Sequence, residues 1–133
     1  MTVIDASSLA KYILREDNWE KLRKYLEYEV YSLNIALVEI SNAIWKHNVL
    51  YNRISRKEAM VAFETVKILK DIVIFESFEN YLDNAMEISN DNKIPVYDAL
   101  YISQAQKHGR IITSDKLQRE VADKMGIEVE YIE

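Results

Sequence analysis

Residues 2–5 read Thr-Val-Ile-Asp and residues 110–115 read Arg-Ile-Ile-Thr-Ser-Asp, and these two stretches decide the fold. Each is a short, β-branched apolar run, the composition of a buried strand. Each leads through an aspartate into a helical pattern, so Asp5 and Asp115 stand at the carboxyl ends of two separate strands. Ser7 or Ser8 is placed to cap a helix carrying Leu9, Tyr12 and Ile13. Trp19, Leu22, Tyr25 and Leu26 recur at helical spacing ahead of a second strand, Val30–Leu33. Asn34 is placed to cap a long helix reaching about Leu50, and Ser55 with Glu58 forms a capping box opening a helix to about Lys70. Ile72–Phe75 reads as a strand, and Ser77 or Glu79 starts a helix that runs through Met86 to about Asn90. Pro95 suits a first helical turn, and Gly109 a left-handed cap beyond His108. A helix from Asp115 to Met125, ended by Gly126, precedes a last strand, Glu128–Ile132.

Strands alternating with helices imply right-handed crossovers. The expected fold is α/β: a three-layer α/β/α sandwich with a mostly parallel central sheet. Ligands of such open sheets sit outside the carboxyl ends of the strands. The edge that carries Asp5 and Asp115 is therefore where chemistry is expected.

Composition narrows the classes. The chain has 133 residues, 1 proline and 2 glycines, which predicts one domain, residues 1–133, with short connections. It has no cysteine, which excludes disulfides, thiolate catalysis and Cys-ligated zinc. A start of Met-Thr-Val-Ile-Asp shows no basic flank before a long apolar run, and no stretch is long enough to span a bilayer. A cytoplasmic location without membrane attachment is the expectation. The formal net charge of −5 argues against coating nucleic acid by bulk electrostatics. It does not exclude a nuclease, whose acidic site is offset by divalent cations.

Two more acids stand out. Glu39 lies in Leu37-Val38-Glu39-Ile40, and its neighbours one turn away are Ile35, Ala36, Asn42 and Ala43. Asp98 lies in Val96-Tyr97-Asp98-Ala99, with Ile94, Pro95, Tyr101 and Ile102 one turn away. Neither has a local cation, so each must meet water, a distant cation or a metal. Simpler roles stay open: Asp5 as a plain N-cap, Asp115 in a capping box with Gln118, Glu39 at a solvated rim, and Asp98 near a positive helix end. Brought together, four carboxylates would raise one another's pKa values unless cations intervened. Mg²⁺ or Mn²⁺, which prefer oxygen ligands, would resolve that repulsion and activate a water against a phosphodiester.

Val3–Leu9 (VIDASSL), Val38–Lys46 (VEISNAIWK), Pro95–Ala105 (PVYDALYISQA) and Ile111–Gln118 (IITSDKLQ) resemble, in order, the four acidic blocks of PIN domains. The resemblance is greatest to the small VapC-type toxins and runs from Val3 to the last strand. It implies an α/β/α sandwich, hydrolytic cleavage of RNA, and one or two Mg²⁺ or Mn²⁺ ions on Asp5, Glu39, Asp98 and Asp115. It marks Ser7, Asn42 and Thr113 as supporting or substrate-contacting residues. It also implies a homodimer and an antitoxin protein as partner.

Several side chains are candidates for RNA contact. Lys11, Arg15, Lys46, His47, Lys116 and Arg119 follow the acids and could meet phosphates, though ordinary surface charge is the simpler explanation of each. Among the aromatic residues, Tyr97 and Tyr101 flank Asp98 and are the best placed to stack bases, the others suiting a core. A non-catalytic interaction protein on the same fold, or an RNA-processing nuclease outside any toxin pair, are the alternatives. A phosphatase of the haloacid-dehalogenase type needs Asp-x-Asp, whereas Asp5 is followed by Ala6-Ser7; a receiver domain needs an acidic pair near the first strand, which is missing.

Overall fold

The computed structural model describes residues 1–133. Five strands form one sheet in the order β3-β2-β1-β4-β5: β1 (Thr2–Ile4), β2 (Val30–Leu33), β3 (Ile74–Glu76), β4 (Arg110–Thr113) and β5 (Glu128–Tyr131). Every pairing is parallel, so the sheet is wholly rather than mostly parallel. The chain winds from β1 outward to β3, then crosses back to the other side of β1 and continues to β5. The strand order therefore reverses between β1 and β4, whose register pairs Ile4 with Ile112. Connections leave these two strands in opposite directions and open a crevice above their carboxyl ends.

The helices are α1 (Ala6–Leu14), α2 (Arg23–Leu26), α3 (Ile35–Trp45), α4 (Arg56–Ile68), α5 (Leu82–Asn92), α6 (Val96–His108) and α7 (Lys116–Lys124). Packing of α1 on α3 and α4 builds one layer; packing of α6 on β1, β2, β4, α5 and α7 builds the other. Residues Ala99–Ala105 of α6 are buried without interruption, so this helix is enclosed between the sheet and α5. Thirty buried apolar residues form a single core, among them Val3, Ile4, Leu9, Ile40, Ile102, Ile111 and Ile112. No helix is long and apolar enough to cross a membrane.

Local signals resolve differently at four points. The cap of α1 is Asp5, not Ser7 or Ser8: its carboxylate accepts from Ser8 N–H at 3.0 Å. Asn34 makes no capping bond, because its Oδ1 accepts from Phe78 N–H, 44 residues away. The helix begun at Ile35 is α only to Trp45 and then widens into a π turn, Lys46–Leu50. A 3₁₀ turn at Leu69–Asp71 delays the third strand to Ile74–Glu76 instead of Ile72–Phe75. Elsewhere the Ser55–Glu58 capping box forms in both directions, and Gly109 takes φ 104° as the left-handed end of α6.

Glu76, at the end of β3, ties that edge strand to α6. Its Oε1 accepts from His108 Nε2 at 2.7 Å, Tyr81 Oη at 2.8 Å and Gln104 Nε2 at 2.9 Å. Burial acts to raise its pKa, but the bonds from Gln104, His108 and Tyr81 outweigh burial and hold it below the ordinary value. A carboxyl depressed by folding contributes stability above its unfolded pKa and loses it as pH falls through the folded one. Glu76→Gln should therefore lower stability at pH 7 by about 1–3 kcal/mol, the size of a hydrogen bond to a charged group. Urea unfolding should show wild type and variant converging as the pH drops below the carboxylate range. A constant gap down to pH 3 would contradict this role for the charge.

Candidate active site

Each acid reaches the crevice from a different element. Asp5 follows β1 and caps α1; Asp115 follows β4 and caps α7, its Oδ1 accepting from Gln118 N–H at 2.8 Å. Asp98 lies in the first turn of α6, and Glu39 is on the second turn of α3. All four line one cleft of about 200 Å³, together with Ala6, Ser7, Ala10, Ala43, Tyr101 and Gln118. Roomier hollows exist on the surface, but the one that also gathers acids, Glu16, Asp17 and Glu133, holds Lys11, His47 and Arg53 beside them.

The most buried acid is Asp5, at 3% exposure. One oxygen is taken by the α1 cap; the other accepts from Ser7 Oγ at 2.6 Å and contacts Thr113 Oγ1 at 2.8 Å. Burial nevertheless raises its pKa, against the lowering effect of Ser7, Ser8 N–H and Thr113. Ser7 in turn accepts from Ser114 N–H at 3.1 Å, locking the β1 turn to the β4 turn. Glu39 accepts from Tyr101 Oη at 2.7 Å, a bond that joins the two helical layers above the sheet. Burial pushes Glu39 up to about 7; the Tyr101 bond opposes this, while Asp5 and Asp98 add to it. Asp98 rises to about 6 through burial, then the charges of Asp115 and Asp5.

No cationic side chain lines the cleft, and none of the six ion pairs in the molecule involves one of the four acids. The donor set is entirely oxygen, which suits hard divalent cations rather than zinc or copper. As the side chains stand, no group of three or more acids or histidines clasps an ion directly. Mg²⁺ commonly takes only one or two carboxylates and retains several waters, so an open cleft fits it better than a closed cage.

Other residues singled out from sequence fall in various places. Thr113 is fully buried beneath Asp5 and Ser7 lines the cleft, whereas Asn42 is exposed one turn beyond Glu39 and outside the lining. Lys11 is buried and donates to Asp17 O at 3.0 Å, so it faces no phosphate. Arg15 stacks on Trp19 and Arg119 on Tyr131. Tyr101 is buried and bonded to Glu39, which removes it as a base-stacking platform; Tyr97 stays 59% exposed. Lys46 and Lys116 are exposed, and His47 Nδ1 donates to Ala43 O, 3.0 Å away. The sequence marks Gln118 only as a capping-box partner of Asp115 and Tyr101 only as a stacking candidate; the bonds of Gln118 to Thr113 and the Asp98 carbonyl, and of Tyr101 to Glu39, carry no such mark. The one signal for either residue is its spacing: Tyr101 follows Asp98 by three residues, and Gln118 follows Asp115 by three.

A wholly parallel sheet, wound both ways from a switch point that holds an acidic, oxygen-lined cleft, places the protein among doubly wound α/β proteins. The particular family follows from the sequence: residues 2–124 match the PIN domain, and the chain belongs to that family. It is 27% identical over 131 residues to "Ribonuclease VapC3" of Pyrobaculum aerophilum, covering 92% of each chain. It is 26% identical to "Exonuclease VapC9" of the same organism, covering 98% of this chain and 91% of the relative. VapBC2 of Rickettsia felis, solved bound to a DNA fragment from their promoter, shares the fold: TM-score 0.65, 13% identity, 98% of this chain and 97% of that one.

Raised carboxyl pKa values make the cleft a source of instability. When folding raises a carboxyl pKa, the ionised form weakens the fold, increasingly as pH rises from the unfolded to the folded value. In EDTA at pH 8, Asp98→Asn should therefore stabilise the fold by about 1 kcal/mol, a figure discounted for its partial exposure. The gain should shrink as pH falls and vanish below the ordinary aspartate value of 3.8, where the wild-type carboxyl is protonated in both the folded and the unfolded state. Chemical denaturation across this range measures it; a destabilised variant at pH 8 would show that Asp98 does not suffer from its neighbours.

Proposed function

We propose that this chain is a divalent-metal-dependent ribonuclease of the toxin type, with Asp5, Glu39, Asp98 and Asp115 holding Mg²⁺ or Mn²⁺. One observation carries the reading: four acids from four elements line one cleft in which no lysine, arginine or histidine neutralises them. Placing a carboxylate cluster there without a cation weakens the fold, so the cluster has a function outside stability. Family membership and the printed names of two relatives support RNA as the substrate.

Bound in the cleft, Mg²⁺ or Mn²⁺ would lower the pKa of an attacking water and offset charge on the phosphodiester in transit. The chain's own residues hold the frame. Asp5, fixed by Ser7 and Ser8 N–H, is the least mobile ligand. Tyr101 orients Glu39 by donating to one of its oxygens and leaves the other free. The N-termini of α1, α6 and α7 all begin at the cleft, and their amide dipoles favour a phosphate there. Exposed Tyr97, Asn42, Lys46 and Lys116 are the side chains available to an RNA strand at the rim.

The same reading carries an antitoxin partner, a homodimer and a cytoplasmic location. A groove between α1 and α4, lined by Tyr12, Trp19, Val61 and the cations Arg15, Arg23 and Lys57, supports the partner, because none of the three cations is paired with a carboxylate. Exposed Ile72 and Ile74 beside the β3 edge supply apolar surface that a second copy would cover.

Purified protein with Mn²⁺ should cleave single-stranded RNA, and EDTA should stop it. Asp5→Asn and Asp98→Asn should each reduce the rate about 100-fold or more, the loss of a few kcal/mol of metal-derived stabilisation, with circular dichroism unchanged. A circular RNA distinguishes internal cutting, which we expect, from trimming of ends. Full activity in either variant removes that residue from the site. Failure of wild type on several RNAs with Mn²⁺ would favour a non-catalytic interaction protein.

A further inference from the structure

Gln118 links the settings of three of the four acids, Asp98 and Asp5 through its side chain and Asp115 through its backbone N–H, and the inference drawn from it rests on the metal site proposed above. It lies on the first turn of α7 with 1% exposure. Its backbone N–H donates to Asp115 Oδ1 at 2.8 Å. Its Nε2 donates to the backbone carbonyl of Asp98 at 3.0 Å, joining α7 to the first turn of α6. Its Oε1 lies 2.7 Å from Thr113 Oγ1, the same hydroxyl that contacts Asp5 Oδ2 at 2.8 Å.

The amide has only one orientation compatible with these partners. A carbonyl accepts and cannot donate, so the nitrogen of Gln118 must face Asp98 and its oxygen must face Thr113. The hydroxyl of Thr113 has one proton and two acceptors in reach, and one of its two lone pairs accepts from Asp115 N–H at 3.0 Å. Gln118 thus competes with Asp5 for that proton and sets the orientation of the hydroxyl beneath Asp5. A chain of contacts Asp98–Gln118–Thr113–Asp5, with Asp115 attached at two points, runs under the cleft. We propose that Gln118 is a positioning residue whose side chain ties the Asp98 turn to the Thr113–Asp5 pair, while its backbone N–H holds Asp115, so that the three acids form one rigid ligand set for the divalent cation. It need not touch RNA or metal; it acts through the residues that do.

Nothing else in the cleft can substitute for it. Ser7 reaches Asp5 and the β4 turn only, and Tyr101 reaches Glu39 only. A methionine at 118 would fill the same space with neither donor nor acceptor, leaving the Asp98 carbonyl without this donor. Partners behind a metal's direct ligands typically change affinity 10- to 100-fold when removed.

The test is Mn²⁺ titration by calorimetry into wild type, Gln118→Met and Gln118→Asn, with melting in EDTA as the fold control. Wild type should bind Mn²⁺, Gln118→Met should bind it 10- to 100-fold more weakly, and Gln118→Asn should fall between, being too short to reach both partners. A purely structural glutamine would lower the melting temperature in EDTA yet leave Mn²⁺ affinity within twofold of wild type, and that result overturns the inference. Should Gln118→Met fail to fold, Gln118→Asn decides by the same criterion. Wild type that does not bind Mn²⁺ overturns the metal site itself, a failure distinct from equal binding by wild type and variants.

Discussion

The buried carboxylate of Asp5 is the constraint around which the carboxyl edge of the sheet is organised. A nearly inaccessible acid is tolerated only with its oxygens satisfied, and here the partners come from both sides of the switch point. Ser8 N–H and Ser7 belong to the start of α1; Thr113 belongs to β4, more than a hundred residues later. Satisfying one side chain thus fixes how β1, α1 and β4 meet. Because β4 leads directly to Asp115, the same contacts place the second acid. The remaining two are held by α3 and α6, whose layers meet through the Tyr101–Glu39 bond.

With the proposed function placed in this cleft, stability and function pull against each other. Burial and mutual repulsion raise the pKa values of Glu39 and Asp98, which weakens the fold near neutral pH. The core compensates: α6 is enclosed over seven consecutive residues, and Glu76 secures the edge strand to its far end. Destabilisation is thus confined to one rim of a well-packed sandwich. Strain at a site supported by the surrounding scaffold is the general pattern for proteins that perform chemistry.

How far the sequence could be read follows from which interactions are local. Strands β1, β2 and β4 were legible because β-branched runs end at turn residues and helix caps. Asp5 and Asp115 could be assigned to one edge because two parallel strands point the same way. Glu39 and Asp98 were conspicuous for lacking any cation within a turn. What escaped detection depends on distant partners. Asn34 looks like a cap until Phe78 arrives to use its oxygen. Ser7 looks like a helix cap until Ser114 N–H, 107 residues away, donates to its hydroxyl. Lys11 and Tyr101 read as surface contacts for RNA, yet both are buried, a fact set by the packing of α1 and α6. The third strand was placed two residues early because a 3₁₀ turn at Leu69–Asp71 carries no sequence mark that separates it from the end of α4.

Divalent-ion occupancy of the crevice is the claim on which the functional account stands. Crystals soaked in Mn²⁺ and measured at the manganese absorption edge report it directly. The account predicts an anomalous peak within coordination distance of carboxylate oxygens from Asp5 and at least one of Glu39, Asp98 and Asp115. A peak elsewhere on the surface, or none at saturating Mn²⁺ with the four carboxylates intact, would contradict it.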